Sequence, residues 1–298
     1  MSLHADGIAL AQGLLGAADV GDGPTTEQLG IIQNLLHGYF GVDGDVGTLE
    51  PLDPSGLAEI CTDDAERRRI VDLLAVVEFC RHPGDAAQAD RVDEYARALG
   101  VDEPLLLVAR DALTEGHERV MADWSRFREP LPNEPGMGAA DPALGARLRA
   151  LGSCPEGSLG RAYHDFLDRY GLAFPGEEGG GGADLVPHDF SHVLAGYDAD
   201  APGELALQAM LTSATGFAHH FSGLVASLSL YEAGKFEILD IAPKEEALDR
   251  PGAAAELADA FRRGEACTGD FSALDHLARA DDPLDAVRAD CGITPRAA

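Results

Sequence analysis

Hydrophobic residues recur at helical spacing through most of the first half of the chain. Behind Thr25, which with the glutamine three residues later has the spacing of a capping box, apolar positions repeat every three or four residues. The same period follows Asp63, and it follows Asp85 until the pattern ends at Gly100. No alternation of period two, which is typical of strands, interrupts it. The pattern therefore predicts consecutive helices over residues 24–128.

A segment rich in proline and glycine then interrupts the pattern. Between Arg128 and Pro142 it holds too many helix- and strand-breaking residues for either element, so we place a domain boundary there. The sequence predicts an all-α fold of two helical domains, residues 1–130 and 131–298. In the second domain, the apolar period after Ala253 predicts a helix that ends at Gly264.

The stretch from Leu205 to Tyr231 contains no aspartate, glutamate, lysine or arginine. It has too many polar residues for a bilayer span, and two glycines indicate breaks or close packing. It predicts one long or two shorter helices that are buried on most sides. These helices form the core of the domain in one interpretation, and in another they also wall an apolar lipid pocket. The pocket would be lined by Leu205, Met210, Phe217, Leu224 and Leu228.

The chain is strongly acidic. Its 298 residues include 22 Lys and Arg against 52 Asp and Glu, for a net charge of -30 at pH 7. This excess argues against nucleic-acid binding, and it leaves any peripheral membrane contact to an apolar patch rather than to charge attraction. Because the N-terminal sequence lacks a secretory signal, we expect a cytoplasmic protein. A homodimer is an open alternative, since nothing in the chain fixes the oligomeric state.

The densest group of chemically capable side chains is the sequence HDFSH at residues 188–192, followed by Glu204 behind a Pro-Gly turn. His188 and His192 are four apart, so on a helix they share a face. Imidazole nitrogens and carboxylate oxygens are ligands that zinc and non-haem iron accept. Asp189 occupies the place of the glutamate base of HExxH, which excludes a zincin peptidase. Either the four side chains hold a metal, or the two acids are ordinary residues of first helical turns.

The pattern HDxxH, eleven residues and then glutamate resembles the zinc-binding signature of the coenzyme Q (ubiquinone) biosynthesis family typified by the fourth Coq protein. Three further stretches resemble that family in the same order, and together the resemblance covers residues 141–298. They are Pro155, Gly157-Ser158-Leu159-Gly160, Tyr163 and Phe166; then Gly203-Glu204-Leu205-Ala206; and last Pro283-Leu284, Val287-Arg288 and Gly292-Ile293.

This resemblance implies a largely helical domain in which His188, Asp189, His192 and Glu204 ligate a divalent metal. Zinc is the first choice, with iron and manganese as alternatives. It also implies an apolar groove for an isoprenoid or quinone-like lipid. Members of the family act in quinone biosynthesis, as catalysts that remove the C1 carboxyl of the prenylated head-group precursor with hydroxylation there, or as scaffolds that organise biosynthetic partners. We therefore expect a metal-dependent decarboxylase of a prenylated aromatic acid or a non-catalytic lipid-binding scaffold with a structural metal, and the sequence assigns no catalytic residue.

The N-terminal half resembles a TerB-like domain of tellurite-resistance proteins. The resemblance rests on helix order, on the acidic turn at residues 42–45, and on a similar helix-turn arrangement around residues 100–102. It implies a module that binds protein partners. A fusion of this kind departs from the usual architecture of the coenzyme Q family, which is a single domain.

Overall fold

The computed structural model describes residues 6–101, 141–215, 218–234 and 244–296. Every regular element in those ranges is helical, which confirms the predicted all-α fold. Extended pairing there is limited to two isolated bridges, Ser158 with Pro283 and Ala233 with Glu245. The α-helices are α1 (Gly7–Ala18), α2 (Thr26–Asn34), α3 (Pro54–Ile60), α4 (Asp64–Phe79), α5 (Ala86–Leu99), α6 (Pro142–Arg149), α7 (Leu159–Tyr170), α8 (Leu185–Ala195), α9 (Ala201–Thr215), α10 (Ala218–Tyr231), α11 (Ala253–Ala266) and α12 (Leu284–Asp290).

Three of the N-terminal helices, α2, α4 and α5, begin at the caps that the sequence predicts. The Thr25 side chain accepts a hydrogen bond from the Gln28 N–H, and the Gln28 side chain accepts one from the Thr25 N–H, so α2 opens with a capping box. Asp63 caps α4, and Asp85 caps α5. α5 ends at Gly100, whose φ of 69° lies in the left-handed region that favours glycine. These local signals therefore predicted the starts of α2, α4 and α5 and the end of α5.

The N-terminal helices pack directly against the C-terminal ones. Tyr39 lies in a π-helical turn after α2; its ring centroid is 5.8 Å from that of Phe261, and its hydroxyl donates to the Glu265 carboxylate. Arg69 of α4 donates to the backbone carbonyl of Ser213 at 2.9 Å. Buried residues of the two halves consequently belong to one continuous hydrophobic cluster.

The predicted domain boundary at residue 130 lies outside the described residues, as do the helix expected over residues 102–128 and most of the linker. The division into two domains therefore stays a prediction. Within the described ranges, no helix is long and apolar enough to cross a membrane.

The uncharged stretch forms two helices, α9 and α10, and α9 packs against both α10 and α11. Gly264 lies inside α11 where that helix approaches α9, because a Cβ there would overlap the Met210 carbonyl oxygen. The expectation that Gly264 ends the helix is therefore wrong, and α11 continues to Ala266. The glycine permits close packing of two helices instead of terminating one of them.

Candidate metal centre

α8 carries two histidines on one face. The helix begins at Leu185, and Pro187 costs no hydrogen bond as its third residue, because the N–H groups of a first turn have no partner within the helix. The Nε2 atoms of His188 and His192 lie 3.2 Å apart, and the two ring planes are inclined at 85°. The four-residue spacing thus directs two ring nitrogens at one point.

Glu204 joins them from the first turn of α9. Asp200 caps this turn by accepting from the Gly203 N–H at 2.9 Å. A glycine is required there, since a Cβ would overlap the Asp198 carbonyl oxygen. The sequence predicts a Pro-Gly turn ahead of this helix, and that prediction is wrong, because the helix already begins at Ala201. The Pro-Gly pair instead belongs to the first helical turn, where proline is tolerated. This tight approach to the preceding loop sets the position of the glutamate.

The three side chains form a compact group, which we call the metal triangle, and their ligand-type atoms all lie within 4.8 Å of one another. His192 Nε2 lies 3.1 Å from Glu204 Oε1, and His188 Nε2 lies 3.4 Å from Glu204 Oε2. At the metal–nitrogen distances of zinc sites, two ligands of a tetrahedral ion are separated by about 3.3 Å. The separations lie near this value, although His192 and His188 contact different oxygens of Glu204, so three protein ligands are available to one ion and a fourth position is left. Two imidazoles and a carboxylate suit zinc, and they also suit iron or manganese.

Asp189 stands outside the metal triangle. The Tyr163 hydroxyl donates to Asp189 Oδ2 at 3.4 Å, while the Tyr163 ring stacks on Phe190 with centroids 4.0 Å apart. Burial raises the pKa of Asp189 to about 6, against the attraction of His188 and His192, which lowers it. The structure thus brings three of the four predicted ligands together, and ligation by Asp189 stays a prediction.

The metal triangle is held together by charge. Burial alone would lower the pKa of His188, but the attraction of Glu204, their hydrogen bond and nearby Asp189 raise it to about 9. Burial alone would raise the pKa of Glu204, yet the attraction of His192 and His188 and hydrogen bonds with both hold it well below its usual range. The carboxylate is therefore anionic and faces two imidazoles. A divalent cation that bound here would displace the proton from His188.

The second nitrogen of His192 is fixed by the backbone. Its Nδ1–H donates to the Tyr197 carbonyl at 3.2 Å, which leaves Nε2 as the nitrogen that faces the triangle. The side chain of His192 is only 2% exposed, against 18% for Glu204 and 31% for His188. The centre is therefore reached past His188. Sequence reasoning missed Tyr197, because a contact made through a backbone carbonyl leaves no residue-type signal.

Four of the five residues expected to line a lipid pocket are fully buried, and the fifth, Phe217, lies outside the described residues. One of the four, Leu205, directly follows Glu204 in the sequence. Burial and then the Glu204 carboxylate raise the pKa of Tyr231, so the end of α10 is within electrostatic reach of the metal triangle. A lipid cavity among these side chains stays a prediction. The four buried residues are Leu205, Met210, Leu224 and Leu228.

No protein-family model and no curated protein matches this chain. Among solved structures, a candidate ubiquinone biosynthesis protein from Nostoc punctiforme PCC 73102 is similar, with a TM-score of 0.37 and 20% identity. The match covers 75% of this chain and 97% of that one. Both resemblances, to the coenzyme Q biosynthesis family and to TerB-like domains, stay predictions.

Proposed function

We propose that this chain is a metal-dependent protein of quinone and isoprenoid-lipid metabolism. A divalent ion, zinc first and iron or manganese as alternatives, would be held by His188, His192 and Glu204, with Asp189 as the nearby carboxylate. The observation that carries the proposal is the convergence of the three side chains, whose ligand-type atoms, one from each residue, all lie within 4.8 Å of one another. This spacing brings two imidazoles and one carboxylate to a single ion.

A bound divalent ion supplies a Lewis acid for the carboxylate of an aromatic acid. The side chains would do the remaining work. His188, the most exposed of the three, borders the approach, while buried His192 serves as an anchor. Leu205 follows Glu204 and begins the apolar surface that a prenyl tail would contact. The head group of the lipid would thus lie at the metal beside Glu204, and its tail would begin at Leu205, so both would contact the first turn of α9.

The reaction proposed for this centre acts at C1 of a prenylated hydroxybenzoate. The bond from C1 to the carboxyl carbon breaks, and a bond from C1 to oxygen forms. Dioxygen is the oxidant and a two-electron donor is the reductant, with carbon dioxide and water as co-products. The reaction is proposed on the family resemblance together with the donor set of the metal triangle.

The burial of one ligand, His192, favours a second function, a lipid-binding scaffold with a structural metal. Structural metal sites are closed, and the His192 side chain is only 2% exposed. In that case the lipid would be held without turnover, and the N-terminal helices would bind protein partners. The two functions share the metal and the lipid, and they differ in whether product forms.

Elemental analysis after purification without chelators tests the metal. We expect about one ion per chain in the wild type and none in His192→Ala, because the variant loses a ligand. His164→Ala is the matched control: that histidine lies in the same half, with its side chain 25% exposed, and should leave the metal content unchanged. A wild-type chain without metal would contradict both proposed functions.

Turnover then separates the enzyme from the scaffold. The wild type is incubated with prenylated hydroxybenzoate, dioxygen and a two-electron donor, and the product is followed by mass spectrometry. Product that disappears in Glu204→Gln supports the enzyme. A lipid that co-purifies unchanged, with no product from the wild type, supports the scaffold.

A further inference from the structure

The carbonyls at the end of α8, residues 193–196, each accept a hydrogen bond from an arginine. Arg288 donates to the carbonyls of Val193 and Leu194, both at 2.9 Å. Arg263 donates to the Ala195 carbonyl, and Arg296 donates to the Gly196 carbonyl, each at 2.8 Å. We call these three side chains the arginine clamp. They come from α11, from α12 and from the segment after α12, so the clamp joins the histidine-bearing helix to the C-terminal elements.

The arginine clamp satisfies the last carbonyls of α8 with side-chain donors. The last carbonyls of a helix lack partners inside it and are commonly satisfied by water or by a capping residue, while a nearby cation is favoured by the helix dipole. This chain has only 22 Lys and Arg against 52 acids, yet three arginines converge on one helix end. Arg263 is only 1% exposed, and it also donates to the Thr294 carbonyl through Nε and Nη2. Nε and Nη2 of this buried guanidinium make all three of these hydrogen bonds, whereas its Nη1 is buried without a partner among the described residues.

The arginine clamp reaches the metal triangle through Tyr197. His192 donates from Nδ1 to the Tyr197 carbonyl at 3.2 Å, and the Gly196 N–H donates to the His192 carbonyl at 2.7 Å. The guanidinium carbons of Arg263 and Arg296 lie 5.1 and 5.3 Å from the centroid of the Tyr197 ring. Two of the three arginines, Arg263 and Arg296, therefore hold both the helix end and the residue whose carbonyl orients the imidazole, while Arg288 holds the helix end alone.

We propose that the arginine clamp positions His192 as a metal ligand and thereby sets the metal affinity of the site. This inference rests on the proposed metal-dependent function. Residues that orient a ligating imidazole change metal affinity by about 10–100-fold when they are replaced. The three arginines are positioning residues, because all of them contact backbone carbonyls, two of them also contact the Tyr197 ring, and none contacts the atoms of the metal triangle.

The test compares zinc affinity and the visible spectrum of bound Co²⁺ in the wild type and in the double variant Arg288→Gln, Arg296→Gln. These side chains are 30% and 40% exposed, so water can replace the lost donors and the fold is expected to survive. We expect the double variant to bind zinc at least about tenfold more weakly than the wild type in a competition with a chromophoric chelator. We also expect its Co²⁺ absorption bands to be shifted. Arg279→Gln is the control, because Arg279 is 29% exposed and pairs with two aspartates, Asp282 and Asp290.

Each outcome decides the proposal. A folded double variant with wild-type zinc affinity and wild-type Co²⁺ bands overturns the arginine clamp and leaves the proposed function standing. A wild type that binds no zinc overturns both. If the double variant does not fold, Arg288→Lys replaces it, since lysine keeps the charge and loses the planar fork that reaches two carbonyls. Wild-type affinity and bands in that variant would likewise overturn the proposal.

Discussion

His188 and His192 face each other through the same ring atom, Nε2, at 3.2 Å, and Glu204 lies within 3.4 Å of both nitrogens. Two nitrogen lone pairs at this separation repel each other unless a proton or a cation lies between them. Protonation satisfies one pair of atoms at a time, whereas a single cation satisfies the two rings and the carboxylate together. Metal binding should therefore be visible in the stability of the whole chain.

Chelation is expected to destabilise the wild type. A ligand that binds only the folded state stabilises it by about 2.7 kcal/mol when its free concentration is 100-fold above Kd. Thermal unfolding with zinc and after EDTA measures this difference. His192→Ala should unfold at the same temperature in both conditions, and a shift of wild-type size in that variant would mean that the ion acts elsewhere.

Gly203→Ala is expected to disturb the metal centre from the backbone. The added Cβ would overlap the Asp198 carbonyl oxygen, so the first turn of α9 must move. We expect a loss of about 1–3 kcal/mol in the free energy of unfolding, measured by urea denaturation, and weaker zinc binding. Gly30→Ala is the control, because nothing lies within 4 Å of its added Cβ. That variant should be more stable by up to about 1 kcal/mol, with unchanged zinc affinity.

The contact between His82 and Glu232 should make stability depend on pH. His82 Nε2 donates to Glu232 Oε1 at 3.0 Å, and this hydrogen bond raises the pKa of His82 against the effect of burial, with Glu246 and Glu27 adding attraction. Folding therefore favours the protonated ring. Its contribution is complete below the unfolded pKa, about 6.5, and it is lost as pH rises through the folded pKa.

His82→Gln isolates that contribution, because glutamine keeps a donor and does not titrate. The difference in free energy of unfolding between wild type and variant should fall as pH rises above 6.5, the ordinary value for histidine. Denaturant titrations at a series of pH values give this difference. If it is the same at every pH, the pair does not carry the predicted charge.

The contact between the two halves can be tested at Tyr39. Its hydroxyl donates to the Glu265 carboxylate in a partly buried position. Hydrogen bonds to charged groups contribute about 1.5–3 kcal/mol, so Tyr39→Phe should lower the free energy of unfolding by about 1.5 kcal/mol. Tyr170→Phe removes a similar bond to Asp198 at an exposed position and should change it by less than about 0.5 kcal/mol. Equal effects in the two variants would show that burial of the contact is unimportant.

Features that depend on near neighbours could be predicted from the sequence. The cap at Thr25 and the stop at Gly100 involve atoms only a few residues apart, and both are found as expected. The pairing of His188 with His192 follows from helical spacing alone, and Glu204 needs only one short loop to return to them. Helix periodicity therefore accounts for the all-α fold and for most of the metal triangle.

Features that depend on distant packing could not be predicted. Gly264 has the sequence position of a helix stop, but its role is set by the approach of α9. Asp189 neighbours His188 in sequence, yet its carboxylate accepts from Tyr163, 26 residues earlier. Which partner a side chain contacts depends on how the neighbouring helices pack around it. The linear order of residue types does not contain that information.

The arginine clamp also has a consequence for the order of events during protein synthesis. The arginines that hold the end of α8 lie 68 to 100 residues further along the chain. On the proposed role, the nascent chain exposes its ligand helix to cellular metal long before that helix has its final supports. Metal captured early would be held weakly and could exchange, and tight retention would begin only once Arg296 had left the ribosome and folded back. Translation itself would then delay the commitment of the site to one ion.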